Sequence, residues 1–222
     1  MKKIALIALF FSALTLNAQS PTFRFGLTAT PVFDWLRIEG DTYENGGTKF
    51  GFQYGLLFDQ TIGNVERYAF SSGIMINYVN LSTSYTDTVF DINAETDLRV
   101  QYIEIPLTMR LRTNEVNYLT YYGQFGLTPG FRIKARADYY LDGVAIDEDL
   151  DMTDKDTAAG ATYNLINISL TLGAGAEYAL TENTSIIGGL FWQNGFANVI
   201  DDDVEDNNAY LKQIGVRLGV LF

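Results

Sequence analysis

Cysteine and histidine are both missing from this chain of 222 residues, and proline occurs only four times. Without cysteine there is no disulfide to staple the fold, no thiolate nucleophile, and no lipid anchor at a cleaved cysteine. Without histidine the chain lacks the side chain whose unperturbed pKa lies near neutrality, the usual base or proton carrier of catalysis. Zinc loses both of its usual nitrogen and sulfur ligands. No catalytic, cofactor or metal residue is therefore singled out, and carboxylates in solvated connections are all that remain for acid–base work. Basic residues are also scarce, 15 against 27 acids, for a net charge of −12. Such a surface repels phosphate and argues against nucleic acid as a partner. Beyond residue 16 no apolar run is long enough to cross a membrane as a helix, which needs about 20 residues.

The apolar run that does occur is at the start. Lys2 and Lys3 precede an unbroken, mostly apolar stretch from Ile4 to Leu16, and Asn17-Ala18-Gln19 follows with small and polar residues. A positive start, a short apolar segment and a small-residue exit, in that order, read as an export signal. The expected organisation is a signal peptide over 1–19, cut after Ala18 or Gln19, and a single domain over 20–222. About 200 residues remain, enough for one domain.

What is abundant is alternation. In Gln213–Phe222, Ile214, Val216, Leu218, Val220 and Phe222 share one face, while Gly215, Arg217 and Gly219 share the other. The pattern repeats along the chain. Phe23, Phe25, Leu27 and Ala29 oppose Arg24, Gly26, Thr28 and Thr30. Phe50, Phe52, Tyr54, Leu56 and Phe58 oppose Gly51, Gln53, Gly55 and Asp59. Phe70, Ile74, Ile76 and Tyr78 oppose Ser71, Gly73 and Asn77. Ile103, Ile105, Leu107, Met109 and Leu111 oppose Tyr102, Glu104, Thr108, Arg110 and Arg112. Tyr121, Phe125, Leu127 and Phe131 oppose Gln124, Gly126, Thr128 and Gly130. Ile166, Ile168, Leu170, Leu172 and Tyr178 oppose Asn167, Ser169, Thr171, Gly173, Gly175 and Glu177. Ser185–Ala197 reads as a strand whose faces the sequence does not separate. With lipid on the greasy side and an enclosed polar interior on the other, these segments predict an all-β fold, an eight-stranded antiparallel up-and-down transmembrane β-barrel. A ten-stranded variant would add Arg136–Tyr140 and Gly143–Asp147 as a further pair. Pro106 must cost the ladder a hydrogen bond or sit at a bulge, because proline has no N–H to donate.

The connections are unequal. Those over 61–66, 113–117 and 181–184 are short. Those over 38–48, 82–97, 134–161 and 198–209 are long and hold most of the acids. Short turns on one side and long loops on the other match an outer-membrane barrel, with both mature termini periplasmic and the acidic loops extracellular. Either solubility or capture of the divalent cations that bridge lipopolysaccharide would explain the acidity. Asp147, Asp149 and Asp151 begin like a calcium loop, but Met152 stands where glycine is required and Ala158 where the bidentate glutamate belongs. Neither this stretch nor 201–206 is assigned as a metal site.

The interior of an eight-stranded barrel is just wide enough for side chains to fill. Depth along the strands puts Arg24, Asp59, Arg110 and Glu177 in one layer and Gln53, Glu104, Gln124 and Arg217 in another. Buried charges demand partners, so an ion-pair plug is expected, centred on Glu104 and Arg217. It is either a polar structural core or a gate whose pairs exchange to pass small ions. Trp35, Tyr68, Tyr118, Trp192 and Tyr210 suit interfacial girdles. Val216, Leu218, Val220 and Phe222 form a C-terminal signal suited to the barrel-assembly machinery.

Three segments carry a resemblance. Tyr102-Ile-Glu-Ile-Pro-Leu-Thr-Met-Arg110, Gly123-Gln-Phe-Gly-Leu-Thr-Pro-Gly130 and Leu172-Gly-Ala-Gly-Ala-Glu-Tyr178 resemble strands of the outer-membrane β-barrel family of Bacteroidetes, the "porin family" or PorT-like barrels. In architecture these are similar to small OmpX/OmpA-type barrels. The resemblance implies an outer-membrane barrel and little about activity, since a shared fold serves many roles. Three roles follow as expectations: a structural or interaction barrel, a narrow gated pore, or an accessory of protein secretion. Outer-membrane lipid and lipopolysaccharide are the expected surroundings, and a monomer the expected state. Purified in detergent, the folded chain should migrate differently on a gel before and after boiling; identical mobility would contradict a barrel.

Overall fold

The computed structural model describes residues 23–39, 44–63, 67–87, 92–152, 161–202 and 208–222. The segment read as an export signal, with its cleavage region, lies outside the described residues. So do Ala158 of the calcium-like stretch and the end of the acidic run near residue 206.

Eight strands form a ring. They are β1 (Phe23–Glu39), β2 (Lys49–Thr61), β3 (Tyr68–Asp87), β4 (Ile92–Glu104, continued by Leu107–Arg112), β5 (Leu119–Leu141), β6 (Ile166–Ala179), β7 (Ser185–Asn198) and β8 (Asn208–Leu221). Each pairs antiparallel with the next. β8 returns to β1 over the span from Gly26↔Leu221 to Glu39↔Asn208. Closure leaves no sheet edge around the ring, which is what allows strands to sit in hydrocarbon with their amides paired.

Period two sets the two faces. In β1, Phe23, Phe25, Leu27 and Phe33 are exposed while Thr28, Thr30, Val32 and Asp34 are buried. In β5, Tyr121, Phe125, Leu127 and Phe131 point out, and Tyr122, Gln124 and Thr128 point in. The outward aromatics meet across strands: Phe25 and Phe222 at 5.6 Å, Phe33 and Phe50 at 5.9 Å, Tyr54 and Tyr78 at 6.1 Å between ring centroids. Such pairs contribute roughly 0.2–1 kcal/mol each in a sheet. In β7, Ser185, Ile187, Phe191 and Gln193 face inward, while Ile186, Leu190 and Phe196 face outward. Its faces are blurred in the sequence because two of the inward residues are large and apolar.

Pro106 interrupts β4 without a bulge. Glu104 pairs with Gly130 and Leu107 with Leu127, so the register to β5 is unchanged across the gap. Ile105 keeps its bond to the carbonyl of Pro129 at 2.9 Å. A bulge does occur in β5. Tyr102 pairs with Arg132 but Gln101 with Lys134, leaving Ile133 as the extra residue. The faces exchange there: Gln124 and Thr128 are buried below the bulge, Ala135 and Ala137 above it. An added residue shifts side-chain parity in this way, and the alternation read in the sequence stops at Ile133 for that reason.

Two of the connections read as long loops are in large part sheet. β3 and β4 stay paired up to Asp87↔Ile92, so most of 82–97 extends the barrel wall. β5 runs on to Leu141, turns at Asp142-Gly143, and returns as Val144–Asp151. Both turn residues have positive φ, 48° and 76°, the geometry that joins strands through two residues with a matching twist. This is the pair considered as strands nine and ten, but among the described residues the returning strand pairs its backbone only with β5, and the ring remains at eight. Ala161–Tyr163 pairs with Ile200–Asp202 as a separate two-stranded piece instead of beginning β6. Polar residues on both sides of these extensions erase the contrast that marks strands between lipid and lumen.

The returning strand is tied down by charge. Arg99 bonds Asp138 at 2.8 Å and Asp149 at 3.3 Å, and Arg136 also bonds Asp149. The hydrogen bond from Arg136 holds the Asp149 carboxyl below the usual carboxylate range, with the charge of Arg99 adding to it. A carboxyl with a depressed folded value lends stability above its unfolded value of about 3.9 and loses it as pH falls further. Amide protection in Val144–Asp151 should therefore persist from neutrality to pH ~5 and fall by pH ~3. Asp149→Asn should show weaker protection at neutrality and no acid step.

Candidate functional site

The lumen of the ring holds three tiers. At the short-turn end, Arg24 on β1, Asp59 on β2, Arg110 and Arg112 on β4, and Glu177 on β6 form one network. Arg24 Nη2 donates to Glu177 Oε2 at 2.7 Å. Arg110 Nη1 reaches Asp59 Oδ2 at 2.5 Å and Glu177 Oε1 at 3.2 Å. Arg112 makes the same two connections, at 2.6 Å from Nη2 and 3.2 Å from Nε. Ser71 donates to Asp59 Oδ1 at 2.5 Å. Arg110 has no exposed surface at all. Its guanidinium lies 4.6 Å from the centre of the Tyr122 ring, and the Tyr122 hydroxyl occupies space left by Gly175 and Gly189. A Cβ at either glycine would stand 2.6 Å from that oxygen.

Above this network Gln124 accepts from both Arg110 Nη2, at 3.3 Å, and Arg217 Nη1, at 3.2 Å. Arg217 is buried against Phe191, 5.2 Å from its ring centre. The middle tier is built of amides and carboxylates. Gln53 and Asn77 each donate to Glu104 at 2.8 Å. Asn77 also donates to Gln213 at 3.1 Å, and Gln213 donates to Asp34 at 2.6 Å. The backbone N–H of Asn80 completes the coordination of Asp34 at 3.0 Å. Thr128 and Thr171 share a bond of 2.7 Å, and Gln193 donates to Thr171 at 3.3 Å.

The third tier, toward the long connections, is apolar. Leu36, Val79, Leu81, Leu98, Val100, Tyr102, Ala135, Ala137 and Leu211 pack with Met152 and Val199. Met152 ends the returning strand and reaches this core, held there by Arg132, which donates to its carbonyl at 2.8 Å.

Arg24, Asp59, Arg110 and Glu177 thus share one network, and Gln53 and Gln124 lie in the lumen beside it. The expected Glu104–Arg217 pair at the centre does not form. Glu104 is met by neutral amides, and Arg217 is turned onto Phe191 and Gln124. The two strands lie across the ring from each other, and the amides fill the distance between them. Arg112 and Asp34 are further buried charges. Arg112 already shares a face with Arg110 in the sequence, and Asp34 is found by continuing the β1 face past Thr30 and Val32. At the C-terminus Val216, Leu218 and Phe222 are exposed on the outer face, and Phe222 exchanges backbone bonds with Phe25. The lumen network is interior structure of high energetic weight. Arg110→Met should lower unfolding stability in lipid vesicles by about 3–5 kcal/mol. Arg99→Gln, in the exposed ion pairs, should cost less than about 1 kcal/mol. Equal shifts in denaturant midpoint would show that the buried network is not what distinguishes them.

Comparison with known proteins gives one family match. The family described as "Outer membrane protein beta-barrel domain" matches residues 17–201. No curated protein matches the chain. Among solved structures it is similar to Neisserial surface protein A, 13% identical over 89% of this chain and 95% of that one, with a TM-score of 0.47. It is also similar to a major outer membrane protein from Thermus thermophilus, 14% identical over 90% and 99%, TM-score 0.45. OprG from Pseudomonas aeruginosa is 11% identical over 91% and 97%, TM-score 0.40.

Proposed function

This chain belongs to the outer membrane protein β-barrel domain family, and on that premise we propose that it is a non-conducting barrel that presents its acidic loops at the cell surface. The observation that carries this reading is the apolar tier. An ion moving along the lumen would leave the amides around Glu104 and enter a region lined by Leu36, Val79, Val100, Tyr102 and Leu211, each at most 2% exposed. Stripping water from an ion there costs several kcal/mol with nothing offered in return. Below that region the ion pairs occupy the cross-section. Short turns face the periplasm with both mature termini, and the extended β3–β4 and β5 hairpins stand outside the cell. Val216, Leu218, Val220 and Phe222 serve as the signal for the assembly machinery, lipopolysaccharide surrounds the outer leaflet, and the barrel works as a monomer without catalysis.

A narrow gated pore is the second reading, favoured by polar atoms in the middle tier without a hydrogen-bond partner among the described residues: Gln53 Oε1, Asn77 Oδ1, Gln193 Oε1 and Arg217 Nε. Such atoms are ordinarily satisfied by buried water, and a wet middle tier would shorten the dry barrier. A PorT-like secretion role rests on the three sequence segments alone and would require secretion components to co-purify. In planar bilayers the purified barrel should give no stepwise conductance. Reproducible openings of uniform size in independent preparations would sink the closed-barrel reading in favour of the pore.

A further inference from the structure

The lumen ends at the short-turn side in a cavity of about 750 Å³ whose wall includes Arg24, Arg67, Arg112, Thr120, Glu177 and Ser185. We propose that this cavity binds the oxyanion group, carboxylate or phosphate, of a small molecule. The inference goes beyond the closed-barrel reading and does not depend on whether the barrel conducts.

The network above the cavity joins three guanidinium groups, on Arg24, Arg110 and Arg112, to two carboxylates, on Asp59 and Glu177. It therefore carries one positive charge more than it compensates, in an interior where unpaired charge is expensive. Two of the three guanidinium groups, on Arg24 and Arg112, belong to residues of the cavity wall. Arg24 uses Nη2 for Glu177 and keeps a fifth of its side chain exposed, 21%. Arg112 uses Nε and Nη2 for its two partners. Arg67, on the turn between β2 and β3, spends Nε on Asn114 at 3.0 Å. Among the described residues nothing bonds Nη1 of Arg24, Nη1 of Arg112 or either Nη of Arg67. All three arginines line one hollow together with Thr120 and Ser185. Guanidinium groups presented this way match the paired oxygens of a carboxylate or phosphate. Glu115 and Glu182, on the short turns over 113–117 and 181–184, also line the cavity; their charges oppose bulky polyanions and favour a single anionic group.

The test is isothermal titration of the folded full-length protein in an uncharged detergent. Inorganic phosphate and succinate are the two probes, each compared with sodium chloride at equal ionic strength. Saturable binding of one or both oxyanions supports the proposal, and which of them binds tells a phosphoryl from a carboxylate ligand. Arg67 lies at the exposed turn and Arg67→Gln leaves the interior network intact, so this variant should fold and bind several-fold more weakly. Arg24→Gln should weaken binding about tenfold, the loss of one charge-assisted hydrogen bond. Arg99→Gln, at the opposite end, should bind as the parent does. Heat equal to that of chloride, undiminished affinity in Arg67→Gln, or an equal loss in Arg99→Gln would overturn it.

Discussion

The bond between β1 and β8 is the constraint from which the rest of this molecule follows. An open sheet of these strands would present unpaired amides and carbonyls to hydrocarbon, where each costs several kcal/mol. Joining Phe23–Glu39 to Asn208–Leu221 removes both edges at once. A ring of eight strands then encloses a bore only as wide as its own side chains. Every inward residue must accordingly be a packing partner for residues from strands across the ring. That is why a residue as large as Arg110 has no exposed surface, and why glycines at 175 and 189 stand where the Tyr122 hydroxyl needs room.

Within the bore, chemistry changes with height. Guanidinium groups predominate near the short turns. Asp34 and Glu104 lie further along, held by Gln53, Asn77 and Gln213 rather than by cations. Beyond them is hydrocarbon. Gln124, accepting from Arg110 and Arg217 together, joins the first zone to the second. Networks of this kind contribute less net stability than their bonds suggest, because each charge loses its water on burial. What they impose is a single arrangement, since Asp59 and Glu177 are each held by more than one arginine.

Much of this was legible in the sequence, for a physical reason. A membrane on one side and a polar bore on the other force strict alternation, so the inward and outward lists for β1 to β6 and β8 could be read directly. Legibility failed where that contrast fails. Ile187 and Phe191 face inward in β7 and hide its parity. The extra residue at Ile133 exchanges the faces of β5. Toward the long connections, β3, β4 and β5 continue as sheet with polar residues on both sides, and a reader of alternation sees only loop. Pairing across the bore was the harder problem. Parity says that Glu104 and Arg217 point inward, but their partners depend on strand tilt and stagger, which one-dimensional spacing does not encode. The same spacing sufficed for Arg24, Asp59, Arg110 and Glu177 because long side chains near one end of a narrow tube have few other places to go.

Among the described residues the returning strand Val144–Asp151 pairs its backbone with β5 alone, and Arg99 on β4 reaches it through a side-chain bond to Asp149. Its turn at Asp142-Gly143 stands at the end of the wall, where Asn93 on β4 exchanges bonds with Asp142. Because β1 closes on β8 without it, the hairpin is not needed to complete the eight-strand ring, although Met152 beyond it seats in the apolar core. The molecule thus divides into a ring fixed by its own closure and a hairpin that the closure does not require, joined along one continuous strand.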